Sequence, residues 1–227
     1  MIINFKKRRS DIFYKIGKFF LILNIIKFIF LYLPIKPIYM IESFWYCNFI
    51  SFLLSLVLMY GNKIWIKKIA TLVLTTAIVA QSMWIIFFVL DFFNIYHAGR
   101  IIGMGFNMIN PPYVRYIVYS LSIMEHILLI PISFYVVKKL GFDKNSFWFI
   151  QIFLFCFLTF SFLISTNGIN LNCIRHSCDL VTEDIYNYGL NLKTFIYYLY
   201  QLVEWFLLIS VSFIFFSFIL KKDKNNQ

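Results

Sequence analysis

Between Phe147 and Ser165 the chain reads FWFIQIFLFCFLTFSFLIS, a stretch with no charge, no glycine and no proline. Crossing the hydrocarbon of a bilayer as a helix takes about 20 mostly apolar residues, and this block supplies that length. Lipid offers backbone amides no partners, and an unpaired one costs several kcal/mol, so a spanning segment must be a helix or part of a closed barrel. A barrel strand would alternate apolar and polar residues. Here the apolar residues run on without alternation, and the expected element is a transmembrane helix.

The same reading taken outward in both directions gives six spans: Phe13 to Leu33, Tyr39 to Tyr60, Ile69 to Phe93, Val114 to Val137, Phe147 to Ser165 and Thr194 to Leu220, in a single membrane domain covering residues 1–227. The expected fold class is all-α, a polytopic transmembrane helical bundle. Composition agrees: 61% of residues are hydrophobic, 22% aromatic and only 14% charged, more apolar surface than a soluble domain of this size could bury. The first block needs separate argument because it carries Asn24 and Lys27, and a lysine near a helix centre costs on the order of 3 kcal/mol on insertion scales. Its rival is an interfacial amphipathic helix. At about 100° per residue, however, Lys15, Lys18, Asn24 and Lys27 scatter around the helix instead of gathering on one polar face, which favours a span.

With six spans and a cytoplasmic N-terminus, fifteen of the 21 basic residues fall inside: Lys6, Lys7, Arg8, Arg9, Lys15, Lys18, Lys63, Lys67, Lys68, Lys138, Lys139, Lys144, Lys221, Lys222 and Lys224. Five fall outside, Lys36, Arg100, Arg115, Arg175 and Lys193, and Lys27 is left within a span. That bias follows the positive-inside rule and predicts both termini in the cytoplasm. Topology and attraction to anionic lipid heads account for the net charge of +11, so no nucleic-acid partner is expected. Membrane lipids are the expected partners; any lipid or small-molecule ligand, and the oligomeric state, stay open. A removable targeting peptide is not expected, since the basic N-terminal region is long, Lys27 interrupts the apolar stretch and no small-x-small cleavage site follows. Lipidation signatures, nucleotide-binding glycine motifs and internal repeats are absent from the sequence.

Two outer loops are long, Asn94 to Tyr113 and Thr166 to Lys193, and an extracytoplasmic function would sit there. The first carries Gly99, Gly103 and Gly105, the turn-forming Asn110-Pro111-Pro112, His97 and Arg100; a solvated loop is the simpler account of it. Cys47 and Cys156 lie within spans, where a buried thiol behaves as a small apolar group. Cys173 and Cys178 share the second outer loop and would form a disulfide in an oxidising compartment, with reduced thiols as the alternative. Adding His176 gives three ligands at loose spacing, too weak a set to predict a metal. No cofactor is expected.

Depth counted from the outer ends at about 1.5 Å per residue puts Asn24, Asn48, Gln81, Glu125, His126 and Glu204 about 14 to 18 Å down, near the midplane, with Lys27 somewhat above them. Such groups are costly against lipid, so they should converge on the bundle interior or a wet cavity. Nearer the surface, Glu42 and Asp91 joined by Arg115 would line an entrance with charge. Gln81, Trp84, Phe88 and Asp91 form one stripe of the third helix, Arg115, Tyr119, Ser122 and His126 one of the fourth, and Tyr197, Gln201 and Glu204 one of the sixth. Interhelical hydrogen bonds at about 0.6 kcal/mol each would explain the amides without any ligand. Lys27, Glu125, His126 and Glu204 suit that account less well, because ionisable groups are an expensive way to join helices. The candidate polar cavity is therefore Lys27, Asn48, Gln81, Asp91, Arg115, Glu125, His126, Gln201 and Glu204. Lys27 calls for a carboxylate within reach, Glu125 or Glu204, and Glu204 is favoured because it sits beside Gln201 and Tyr200 with no local cation.

The ordered segments Trp45-Tyr46-Cys47-Asn48, Trp84 followed by Asp91-Phe92-Phe93, Glu125-His126-Ile127 with Pro131, Leu140-Gly141-Phe142-Asp143, and Asn167 to Asn172 resemble the landmarks of an uncharacterised family of small bacterial polytopic integral-membrane proteins. The resemblance runs from the second helix to the second outer loop; the first helix is not covered, and Cys173 to Cys178 looks like an addition. It implies a multi-helix fold in a bacterial cytoplasmic membrane and supplies no reaction. The Asp and the His of the candidate cavity that it touches are Asp91 and His126, which strengthens the functional reading of those two.

Three functional readings follow. A non-catalytic membrane subunit or binding protein leads, because it requires no further motif. A small-molecule or ion carrier would bind at the polar layer, but no inverted repeat is evident and Pro131 alone does not make a broken helix. A membrane-embedded acid/base enzyme acting on a lipid or lipid-linked substrate would use Glu125, His126 or Asp91, but no nucleophile elbow, metal triad or two-histidine cluster accompanies them.

Overall fold

The computed structural model describes residues 11–29, 46–92, 112–165 and 192–220, with side chains described for all of these except Asp11, 82–92, 112–119, Ser122 and Leu192. Among them are six α-helices: α1 Asp11–Lys27, α2 Tyr46–Tyr60, α3 Lys63–Phe92, α4 Pro112–Leu140, α5 Phe147–Ile164 and α6 Leu192–Ile219, with a 3-10 turn, Lys144–Ser146, leading into α5. No strand occurs among the described residues. Three helical segments are long and apolar enough to cross a membrane, Lys63–Gln81, Lys144–Ile164 and Lys193–Ile219, and Tyr46–Tyr60 is a shorter apolar helix. Each described helix overlaps one of the six apolar blocks. The main difference is α3, which begins at Lys63 where Ile69 was expected, because the Asn62 side chain accepts the Trp65 N–H at 3.0 Å and caps an earlier turn. The expected ends at Leu33 and Tyr39 lie outside the described residues.

The helix at the centre is α3. Every residue from Ile69 to Ala77 is buried, the pattern of a helix enclosed on all sides. Helices α2, α4 and α6 pack against it, and α1 packs on α2 and α4. Thr71, Thr75 and Thr76 are tolerated in this run because each hydroxyl donates to its own helix, to Lys67 O (2.9 Å), Thr71 O (2.9 Å) and Leu72 O (2.7 Å). Ser212 of α6 donates to Thr75 O at 2.9 Å and ties the last helix to the centre.

Contacts set the direction of each helix. Gly17 near the start of α1 lies against Ser55, Leu58 and Met59 near the end of α2. The Phe13 ring meets Tyr135 near the end of α4 at 6.3 Å, and Phe142, just beyond α4, meets Phe213 near the end of α6 at 4.9 Å. The start of α1, the α2–α3 turn, the α4–α5 turn and the end of α6 therefore share one end of the bundle, and successive helices run antiparallel. In the α4–α5 turn, Leu140-Gly141-Phe142-Asp143 divides the work. Gly141 takes φ +89°, a conformation open to a residue without Cβ; Phe142 is buried; and the Asp143 N–H donates to Thr71 Oγ1 at 3.1 Å while its carboxylate accepts the Asn145 N–H at 3.3 Å.

The outward face is apolar as well. Ile22 and Ile25 on α1, Ile152, Phe155 and Leu163 on α5, and Val203, Leu207, Val211 and Phe218 on α6 are all exposed. A helical bundle apolar inside and out fits a membrane protein and would present water with a large unpartnered surface.

Candidate functional site

Toward the end of the bundle opposite the short turns, α1, α2 and α4 enclose a charged pair. Lys27 is 2% exposed and Glu125 fully buried. The Lys27 Nζ donates to Glu125 Oε2 and, at 2.6 Å, to Asn48 Oδ1. One turn earlier on α1 and one turn later on α2, Asn24 Nδ2 donates to Ser51 Oγ at 2.9 Å and to Phe20 O at 2.8 Å. The two helices thus carry a polar ladder, Lys27–Asn48 and Asn24–Ser51, that continues into the close approach at Gly17. A buried ammonium and a buried carboxylate each carry a large desolvation penalty, and direct pairing with further hydrogen bonds offsets it.

The offset is incomplete. Among the described residues, Glu125 Oε1 is buried without a hydrogen-bond partner, and so are both amide atoms of Gln81, itself fully buried on α3. These groups lie at similar depth. With Lys67 beside Gly141, Gln81 is about 21 Å along α3 from that level and Glu125 about 24 Å along α4, at about 1.5 Å per residue. Each orphan costs about 1–3 kcal/mol if dry. His126 is also buried, but adjacent helix positions do not face each other, so sequence adjacency alone does not pair it with Glu125.

The interior therefore gathers Lys27, Asn48 and Glu125 from the expected set, with Gln81 at about their level. Gln201 and Glu204 engage each other on α6, Nε2 to Oε2 at 2.9 Å. The preference for Glu204 as the partner of Lys27 is thus corrected to Glu125. The reason is neighbourhood: α1 packs on α2 and α4, whereas α6 packs on α3 and α5. The side chains of Asp91 and Arg115, and Glu42, Cys173, His176 and Cys178 altogether, lie outside the described residues. Cys47 is half-buried on α2, and Cys156 lies on α5, within the expected block, on its exposed face.

Sequence reasoning missed two features. Gln151, the one amide in the stretch that fixes the fold, is buried and donates to Ser210 Oγ at 3.1 Å, joining α5 to α6; its isolation in an apolar run was the available signal. The second is an apolar groove of about 250 Å3 lined by Phe49, Phe153, Cys156, Phe157 and Phe160 between α2 and α5. Chemically, the interior site offers a neutralised charge pair and unpaired acceptors and donors. Among the described residues no three His, Cys, Asp or Glu side chains are placed to hold a metal. No family model matches the chain, nor does any curated protein or solved structure.

Proposed function

We propose that the chain is a multi-pass protein of the bacterial cytoplasmic membrane, with six spans and both termini inside, that serves as a non-catalytic membrane subunit or binding protein. The observation that carries this reading is the closed contact of Lys27 with Asn48 and Glu125. Opposite charges neutralised against each other tie α1 to α2 and α4, a use of ionisable groups that needs no substrate. The six-span part draws on the antiparallel succession of the helices and on Lys63, Lys67, Lys68, Lys138, Lys139 and Lys144, which cluster around the two short turns. The resemblance to a family of bacterial integral-membrane proteins points the same way.

A carrier is the second reading, favoured by the unpartnered Glu125 Oε1 and Gln81 amide, which a proton, water or small polar solute would satisfy. Proteoliposomes separate the two. Under an imposed pH or potassium gradient, a subunit or binding protein is expected to give no more proton or cation flux than protein-free vesicles. A flux that Glu125→Gln abolishes would overturn it in favour of a carrier.

A further inference from the structure

The groove between α2 and α5 continues into an aromatic ladder that ends at a lysine. Phe153 and Phe157 stack with ring centroids 6.3 Å apart, and Phe49 of α2 lies against both, at 6.1 and 5.1 Å. One turn toward the short-turn end, Phe149 follows Phe153 at 6.3 Å and meets Trp65 of α3 at 6.2 Å. The Lys68 ammonium rests over these last two rings, 5.1 Å from the Phe149 centroid and 5.3 Å from that of Trp65. Ring faces hold the cation in place and leave its protons available to an acceptor. Lys63 and Lys144 are exposed at the same end. Asp143, the acidic residue of the adjoining α4–α5 turn, is engaged in capping Asn145.

We infer that this face is a phospholipid site: one acyl chain of an anionic phospholipid lies along the groove of Phe49, Phe153, Phe157 and Phe160, with its phosphate against Lys68. Three observations select that occupant. The groove is apolar and opens outward, since Cys156 and Phe160 on its rim are exposed. Its volume of about 250 Å3 suits one slender chain, whereas a helix 10–12 Å across needs several times that over the same length. Apolar floor and cationic end are contiguous through Phe149, matching a molecule with an apolar tail and an anionic head. The inference rests on the membrane reading above, which puts the Lys68 end at the inner leaflet, where anionic heads and basic side chains attract.

Native mass spectrometry of the full chain in detergent, titrated with phosphatidylglycerol or phosphatidylcholine, tests it. The wild type is expected to retain one phosphatidylglycerol about fivefold more tightly than phosphatidylcholine, the effect of one lysine at an anionic head. Lys68→Gln is expected to erase that preference. Cys156→Trp, which fills the groove from its rim without entering the core, is expected to weaken both lipids roughly tenfold; Cys156→Phe serves if the larger ring lowers the melting temperature. Lys139→Gln, removing another lysine of the same end that sits 5.9 Å from the Tyr135 ring, is expected to change nothing. Equal losses for Lys68→Gln and Lys139→Gln would reduce the site to diffuse attraction and overturn it. Lipid retention unmoved by filling the groove would do the same. A wrong membrane orientation would appear in reporter fusions and leave these titrations intact, so the two failures are distinct.

Discussion

Glu125 presents two carboxylate oxygens to one buried position with different surroundings: Oε2 receives Lys27, and Oε1 has no hydrogen-bond partner among the described residues. The pair therefore holds α1 in place while remaining short of full satisfaction. Lys27→Met leaves a lone buried carboxylate and is expected to cost about 3–5 kcal/mol, with Glu125→Leu costing a similar amount for the opposite reason. The double variant should lose clearly less than the sum of the two. Denaturation in detergent measures this, and additive losses would show that the two groups do not depend on each other. Gln81 tests the dryness of the same layer. Gln81→Leu keeps the approximate shape and removes two unpartnered polar atoms, so a gain of about 1–2 kcal/mol is expected; a loss of that size would mean that the amide is hydrated and would favour the carrier. The need for a carboxylate near Lys27 was legible in the sequence from insertion cost alone. Its identity was not, because depth counting puts Glu125 and Glu204 in one layer and is blind to which helices are neighbours.

At the scale of elements, the seam between α1 and α2 depends on Gly17. A Cβ there would stand 2.8 Å from Ser55 O and from Met59 Cγ and 3.0 Å from Leu58 Cβ. The carbonyl cannot rotate away as a side chain can, so any substitution must push α1 outward and stretch the Asn24–Ser51 and Lys27–Asn48 contacts farther along. Alanine improves intrinsic helix propensity by about 1 kcal/mol, yet Gly17→Ala is expected to lower the melting temperature, and Gly17→Leu to lower it further. A rise on Gly17→Ala would mean that the seam is looser than its distances imply. Gly141→Ala strains the other kind of glycine, one at φ +89°, and should cost about 1–2 kcal/mol. The end of α4 was legible only approximately: the apolar block suggested Val137, and the helix runs on to Leu140, where Gly141 stops it. The start of α3 was not legible, because Lys63, Lys67 and Lys68 read as a loop until Asn62 is seen to cap them.

Over the whole molecule, apolar blocks made the helices legible, since lipid and core both demand apolar side chains on every face. The same uniformity hid the packing order: nothing in a run such as Phe147 to Ser165 says which ring meets Phe49 and which faces outward. Direction is recovered from the charges. The α2–α3 and α4–α5 turns share one end with the start of α1 and the end of α6, and the basic residues Lys63, Lys67, Lys68, Lys138, Lys139 and Lys144 flank those turns. Moving such a cluster across a membrane is disfavoured, so that end should face the cytoplasm. Single cysteines at Asn62 and Asn145, in a chain with the native cysteines replaced by serine or alanine, are expected to react with an impermeant maleimide only after the cells are opened. Cysteines at Asn107 and Asn170 should react in intact cells. Labelling of Asn62 and Asn145 from opposite sides would mean that the segment from α3 to α4 crosses an odd number of times, and the six-span topology would fall even though the helices stand.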